Sequence, residues 1–185
     1  KIEKEKGYLD ELDRIIGDGE HGSGMSRGFT AVLEKLPELE DKCIGTILKT
    51  VGNTLLSTIR GASGALYGSA FLFAGKKMIG KKELTLTDFI EIFNIALEVI
   101  YKYGKAKIGD KTIVDTLAPV VEYLNSKEIK KKYFSEILFE VDKIAKHGME
   151  GTKALIAHKG RASYLKERSI GYLDPGAVSC YFLIN

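Results

Sequence analysis

The feature that most constrains the fold is a helical repeat of apolar residues along almost the whole chain. Apolar residues at i, i+3, i+4 and i+7 favour amphipathic helices, and no segment of useful length alternates as a half-buried strand would. The pattern predicts an all-α protein with seven or eight antiparallel helices in one domain. The predicted helices cover about residues 2–16, 25–36, 44–59, 65–79, 87–103, 112–124 and 134–157, with a last helix beginning at 174–176. The fourth is apolar nearly all round and is expected to be the most buried.

The composition excludes several classes of function. With 185 residues the chain is long enough for one domain with a real core. A net charge of +3 is too small to indicate a nucleic-acid partner, and no run of 18 apolar residues could cross a membrane. Cys43 and Cys180 lie far apart among apolar residues, so we expect two small buried thiols in a cytoplasmic protein. The chain starts with Lys inside a helical pattern and shows no signal peptide, so we expect a few residues to precede it.

Residues 13–25 interrupt the helical pattern with a concentration of acids and glycines. The carboxylates of Asp13, Asp18 and Glu20 repel one another unless a cation lies among them, and oxygen ligands in such a group suit Mg²⁺. The glycines let the backbone approach a ligand closely. The alternative is a solvated acidic turn between two helices, with Asp18 or Ser23 as a helix cap.

Two further segments carry groups that suit phosphate. Residues 61–64, Gly-Ala-Ser-Gly, precede a helix N-terminus, where free N–H groups and a partial positive charge favour anions, although such a turn can also be an ordinary cap. Residues 158–174 form a long segment without periodicity, which is typical of a lid or binding loop. In it, Arg161 offers a planar fork for phosphate oxygens. For Arg168 a plain solvent-exposed position is an equally good interpretation.

The number of helices between the loops predicts that they meet. Two helices separate each of the loops at 17–24, 61–64, 104–111 and 158–174 from the next, and an even number of antiparallel helices returns the chain to the same end. We therefore expect an acidic metal loop, a phosphate-binding helix start and a basic lid to converge. These are the parts that nucleotide–Mg²⁺ chemistry requires.

These segments resemble the nucleotide-binding L subunits of dihydroxyacetone kinase, the DhaL family. The matching motifs follow the family's order over nearly the whole chain, at residues 12–22, 61–64, 109–112, 159–165, 167–171 and 174–177. The resemblance implies that residues 1–185 form one DhaL-type nucleotide-binding domain, an antiparallel barrel of about eight helices with ADP or ATP held at one end.

The resemblance also implies the site residues. Two Mg²⁺ ions would be held by Asp13, Asp18 and Glu20. The phosphates would contact His21, Gly22, Ser23 and Gly24, together with Ala62 and Ser63, and the adenine would lie near Gly104 and Ile113. Arg161, as a phosphate-stabilising group, and the turn of Asp174, Pro175 and Gly176 would close the site. No residue of the chain would act as a covalent nucleophile.

In the family's phosphotransferase-system branch, ADP stays bound as a coenzyme. The resemblance implies that a DhaM-type phosphocarrier rephosphorylates this ADP and that the γ-phosphoryl passes to dihydroxyacetone held on the DhaK subunit. Two alternatives stay open. One is the nucleotide domain of a single-chain ATP-dependent dihydroxyacetone kinase or of a fatty-acid kinase relative. The other is a non-catalytic, nucleotide-binding partner of a transcriptional regulator.

The sequence departs from the family pattern at three places. Glu20 stands where Asp is usual, which puts the metal geometry there in doubt. Gly24 occupies a position that is often Asn, and Tyr172-Leu173 replaces a pair that contains His. None of these differences removes a charge, so the assignment is kept.

Overall fold

The computed structural model describes residues 1–185, and all of its regular structure is helical. Eight α-helices follow one another as α1 (Lys6–Ile16), α2 (His21–Lys35), α3 (Ile44–Thr58), α4 (Gly61–Lys77), α5 (Leu86–Gly104), α6 (Ile113–Leu124), α7 (Phe134–Gly151) and α8 (Pro175–Ile184). Short 3₁₀ segments lie at Leu36–Leu39, Lys127–Lys131, Thr152–Ala154 and Arg161–Ser169. No helix has both the length and the apolar character needed to cross a bilayer. The all-helical class is confirmed, and the barrel arrangement stays a prediction.

Contacts divide the chain into two compact units. The first contains Lys1–Ser23 and Ala106–Asn185, and the second contains Gly24–Lys105. The boundary falls within α2, after its first turn.

In the first unit, α6 is the central element. It packs against α7 and α8, which also contact each other, while α1 packs against α8 and the 3₁₀ segment Arg161–Ser169. Nine of the 12 residues of α6 are buried, compared with six of the 17 residues of α4. The prediction that α4 would be the most buried helix is therefore wrong. An apolar sequence shows which residues can be buried, but the number of packed neighbours decides which are.

The second unit is built on close contact between α3 and α4. Gly45 of α3 faces Gly75 of α4, and seven residues further along α3, Gly52 faces Gly68. A Cβ added to Gly52 would lie 2.5 Å from the amide nitrogen of Leu72 and 2.7 Å from the carbonyl oxygen of Gly68. The two backbones therefore touch without side chains between them. α5 packs against α4.

The predicted helix boundaries fail mainly where glycine is frequent. α2 begins at His21 and α4 at Gly61, each four residues before the predicted start. α7 ends at Gly151 and not near 157. At the end of α5, Gly104 remains helical and Lys105 takes the left-handed conformation, with φ 49°.

Other details of the sequence prediction agree with the structure. α8 begins at Pro175, and the Asp174 carboxylate accepts a hydrogen bond from the Ala177 N–H at 2.7 Å, as a helix cap does. Both cysteines are free. Cys180 is buried as expected, whereas Cys43 is only half-buried, and its sulfur accepts the Gly80 N–H at 3.3 Å.

The α3–α4 contact gives a test of the fold. Gly52→Ala should lower the free energy of unfolding by about 1–3 kcal/mol, because the new methyl group meets backbone atoms that cannot move aside. Gly7→Ala is the matched control, since no atom lies within 4 Å of a Cβ at that helical position. Alanine there should raise stability by about 0.5–1 kcal/mol. Equal effects of the two substitutions in urea unfolding would contradict the close packing of α3 and α4.

Candidate functional site

The acidic loop is a tight corner between α1 and α2. One oxygen of the Asp13 carboxylate, Oδ2, accepts the backbone N–H groups of Glu20 at 3.0 Å and His21 at 3.1 Å. These are among the N–H groups that a helix start leaves without partners, so Asp13 on α1 caps α2. A Cβ on Gly17 would collide with the same carboxylate, which explains glycine at the end of α1. Residues 17–20 are thus a short corner, not the longer loop that was predicted.

Asp10 belongs to this corner as well, and sequence reasoning missed it. Its carboxylate accepts the Ser23 N–H at 2.8 Å and the Ser23 hydroxyl at 2.6 Å. The hydroxyl of Ser23, a predicted phosphate ligand, is therefore turned towards α1. Gly22 is buried on the same side, where a Cβ would collide with the backbone of Lys6 and Asp10. An acid three residues before Asp13, on the same helix face, was the available signal.

Asp13, Asp18 and Arg161 form the charged part of the site. Arg161 Nη2 lies 2.8 Å from Asp18 Oδ2, although 143 residues separate the two in sequence. Burial and a hydrogen bond with Asp18 raise the pKa of the Asp13 carboxyl. The same hydrogen bond, with the guanidinium charge as a further cause, lowers the pKa of Asp18. A carboxylate so close to another like charge is disfavoured in its ionised form, and a divalent cation between the two would relieve that repulsion.

Glu20 does not join the other two acids. It is exposed, and no group of three or more His, Cys, Asp or Glu side chains is arranged to hold a metal ion. The structure therefore brings together two of the three predicted metal ligands. The long, exposed side chain of Glu20 would have to turn towards a cation in order to join the other two acids.

His21 links α2 to α8 within the first unit. Its Nε2 lies 2.9 Å from the hydroxyl of Ser179, which in turn donates to the carbonyl of Gly176 at 3.0 Å. Because the hydroxyl proton points to Gly176, the imidazole Nε2–H is the donor in the first bond. Burial lowers the pKa of His21 to about 4. The predicted phosphate ligand is therefore a neutral side chain tied to the turn that opens α8.

The turn of Asp174, Pro175 and Gly176 is fixed by polar contacts. The Asp174 N–H donates to the Thr152 hydroxyl at 3.1 Å, in addition to the cap that its carboxylate provides. Burial raises the pKa of Asp174 to about 7, against the lowering effects of the Ala177 N–H and the Lys111 charge. Ile113, predicted to lie near adenine, is buried at the start of α6, and its N–H lies 3.8 Å from where a Cβ on Gly176 would be.

Lys111 is the second group that sequence reasoning missed. Only 1% of it is exposed, and its ammonium donates to the carbonyl oxygens of Thr152 at 2.7 Å, Leu155 at 3.3 Å and Tyr172 at 2.5 Å. Burial lowers the pKa of this ammonium, while Asp174 and Asp115 oppose the shift. A lysine in a Gly-Asp-Lys-Thr sequence gives no signal that it will be buried.

The remaining predicted ligands lie in the second unit. Ala62 and Ser63 occupy the first turn of α4, which follows Arg60 and has no side-chain cap. Gly24 lies in α2, and Gly104 is the last residue of α5. Their part in nucleotide binding stays a prediction.

Comparison with known proteins places the chain among kinase subunits. Residues 15–185 match the DAK2 domain. Over 181 residues, 98% of this chain and 86% of the relative, it is 44% identical to the ADP-binding subunit DhaL of PEP-dependent dihydroxyacetone kinase from Escherichia coli (strain K12). Over 185 residues, 100% of this chain and 88% of the relative, it is 40% identical to the ADP-binding subunit DhaL of PTS-dependent dihydroxyacetone kinase from Lactococcus lactis subsp. lactis (strain IL1403).

The fold is similar to that of a larger kinase. The native structure of the dihydroxyacetone kinase of C. freundii matches 99% of this chain with a TM-score of 0.75 and 24% identity. Its structure in complex with AMP-PNP and Mg²⁺ matches with a TM-score of 0.72. The chain spans 31% of the length of that native kinase chain.

The low pKa of His21 gives a pH test of the corner. In metal-free protein between pH 6.5 and 4, the unfolded chain binds a proton at His21 that the folded chain does not. The free energy of unfolding should therefore fall by up to about 3 kcal/mol as the pH decreases through this window. His21→Gln should flatten this part of the profile, measured by urea unfolding at each pH.

The matched control is His147→Gln, which removes an exposed imidazole from the same unit. It should leave the pH profile as in the unsubstituted protein. A His21→Gln profile as steep as that of the control would show that His21 is not held neutral in the folded state.

Proposed function

The chain belongs to the DAK2 domain family, and on that premise we propose that it acts as the ADP-binding subunit of a PTS-dependent dihydroxyacetone kinase. In this role residues 1–185 work as one nucleotide-binding domain. The γ-phosphoryl group of bound ATP passes to dihydroxyacetone on a DhaK subunit, and a DhaM-type phosphocarrier rephosphorylates the ADP in place. The reaction takes place in the cytoplasm.

The observation that carries this proposal is the contact of Arg161 with the acidic corner. Asp13 is hydrogen-bonded to Asp18, and Arg161 Nη2 lies 2.8 Å from Asp18 Oδ2. Acidic oxygens beside a guanidinium suit a cation bound together with phosphate, because the cation takes the carboxylates and the guanidinium takes phosphate oxygens. The combination supports phosphoryl transfer over a simple acidic turn.

The donor chemistry of the corner fits Mg²⁺. Asp13 and Asp18 would hold the metal, with Glu20 as a third ligand once its exposed side chain turns inward, and we propose two ions as in the resemblance. When bound, Mg²⁺ supplies positive charge that neutralises the phosphates. Because one oxygen of Asp13 already caps α2, this carboxylate would approach a metal without losing its orientation.

The residues of the chain act by positioning. Arg161 pairs with Asp18 through one nitrogen, Nη2, and a guanidinium has five N–H donors, so others can bind phosphate oxygens. The neutral imidazole of His21 holds Ser179 and the turn that begins α8. Ala62, Ser63 and Gly104 remain proposed ligands of the phosphates and the adenine. No covalent intermediate on the chain is needed, since orientation and charge provide the rate enhancement.

The first experiment identifies the nucleotide. Protein purified without added nucleotide is denatured, and the released small molecules are analysed by mass spectrometry and metal analysis. One ADP and two Mg²⁺ ions should be recovered for each protein chain. Protein free of nucleotide that exchanges ATP with a millimolar dissociation constant would argue for the single-chain, ATP-dependent type of kinase.

The second experiment tests catalysis. In a mixture with DhaK, the phosphocarrier proteins and dihydroxyacetone, Asp18→Asn should lower the rate of phosphoryl transfer by at least about 100-fold, because a neutral amide oxygen holds a divalent cation more weakly than a carboxylate does. Asp41→Asn, at an exposed position before α3, is the matched control and should retain the rate. Absence of transfer with the unsubstituted chain would favour the non-catalytic partner of a transcriptional regulator.

A further inference from the structure

Lys111 makes an unusual set of contacts for a lysine. Its side chain is almost fully buried, and its three hydrogen bonds all go to backbone carbonyls, those of Thr152, Leu155 and Tyr172. An ammonium has three donors, so this set uses the full capacity of the group.

The three carbonyls lie at the two ends of one segment. Thr152 and Leu155 follow α7, and Tyr172 precedes the Asp174 turn. Lys111 therefore holds the two ends of residues 155–172 together. Two other contacts close the same segment: the Gly171 N–H donates to the Lys153 carbonyl at 2.8 Å, and the Ala157 N–H donates to the Ser169 hydroxyl at 2.9 Å. Arg161 lies within the segment thus closed.

The local backbone also indicates that the lysine side chain is needed. Lys111 has φ 60°, in the left-handed region that glycine adopts most readily. Glycine would adopt this backbone conformation with less strain, as Gly109 does two residues earlier, where φ is 91°. Burial of a charged ammonium is a further cost. The three hydrogen bonds that offset these costs need the charge and the length of a lysine side chain.

We propose that Lys111 is a positioning residue for phosphoryl transfer, which sets the 155–172 segment so that Arg161 faces Asp13 and Asp18. The proposal rests on the function proposed above. Lys111 itself does not touch the acidic corner, and its effect passes through the backbone of the segment to the guanidinium. The Asp174 turn keeps its own contacts with Thr152 and Ala177, so the two parts of the site should respond differently to loss of Lys111.

Limited proteolysis tests the closure of the segment. Residues 155–172 contain four trypsin sites, at Lys159, Arg161, Lys166 and Arg168. In Lys111→Met the segment should open more often, and cleavage at these sites should be at least about 10-fold faster. Cleavage within the lysine-rich 3₁₀ segment Lys127–Lys131 is the internal control and should not change. Equal acceleration at both places would mean general unfolding and would overturn the proposal.

A double-substitution experiment tests whether Lys111 acts through Arg161. In the reconstituted transfer reaction, Lys111→Met should lower kcat by about 10- to 100-fold, since small misplacements of a charged group are costly. The dissociation constant for ADP should change by less than about 3-fold, because the ligands in the corner remain. In an Arg161→Ala background, Lys111→Met should have no further effect on kcat. Additive losses would overturn the proposal.

Ile137→Ala controls for stability. Ile137 is fully buried near the start of α7, whereas Thr152 follows the other end of that helix, so the cavity destabilises the same unit without touching the segment. When Ile137→Ala and Lys111→Met are compared at an equal loss of stability, Ile137→Ala should retain its kcat. If Ile137→Ala lost as much kcat as Lys111→Met, Lys111 would act only through stability, and the proposal would be overturned.

Lys111→Gln, which keeps a shorter donor, should give an intermediate kcat. If neither Lys111 variant folds, the lysine belongs to the core and the proposal fails. The proteolysis result does not require transfer activity. Faster cleavage in the segment, together with no transfer by the unsubstituted chain, would therefore reject the proposed function while leaving the closure by Lys111 established.

Discussion

The contact on which the candidate site depends is the capping of α2 by carboxylates of α1. A helix start exposes N–H groups that must find acceptors. Asp13 takes two of them and Asp10 takes a third. The two acids are three residues apart on α1, so both face the same neighbour. This contact determines the length of the acidic corner and the burial of Gly22.

The capping also explains how like charges can stay together. N–H groups at the start of α2 stabilise the Asp13 carboxylate, whereas burial and its hydrogen bond with Asp18 raise the pKa of Asp13. The opposite charge of Arg161 lies on the other side of Asp18. The corner is therefore organised in the protein chain itself, and a cation would meet oxygens that already have most of their orientation.

A second polar network holds the segment that follows α7. Lys111, Thr152, Ser169 and Asp174 are linked to backbone groups on both sides of it, and no buried side-chain nitrogen or oxygen atom lacks a hydrogen-bond partner. Fully satisfied buried networks are rigid, because any displacement leaves a polar group without a partner in a medium of low dielectric constant. The second unit is held together differently, by the backbone contact of α3 with α4 through paired glycines.

The sequence alone determined the helical class, the helix at 175–184 with its Asp174 cap, and the acids and arginine that the site uses. Local periodicity and capping preferences are properties of short segments, so they can be read without a fold. Only the tertiary structure decided that α2 and α4 begin four residues early, that α6 is the most buried helix, and that Asp10, Ser179 and Lys111 belong beside the predicted residues. Acceptors for Ser23, His21 and Lys111 lie 13 to 158 residues away, and such pairs form only when distant helices pack together.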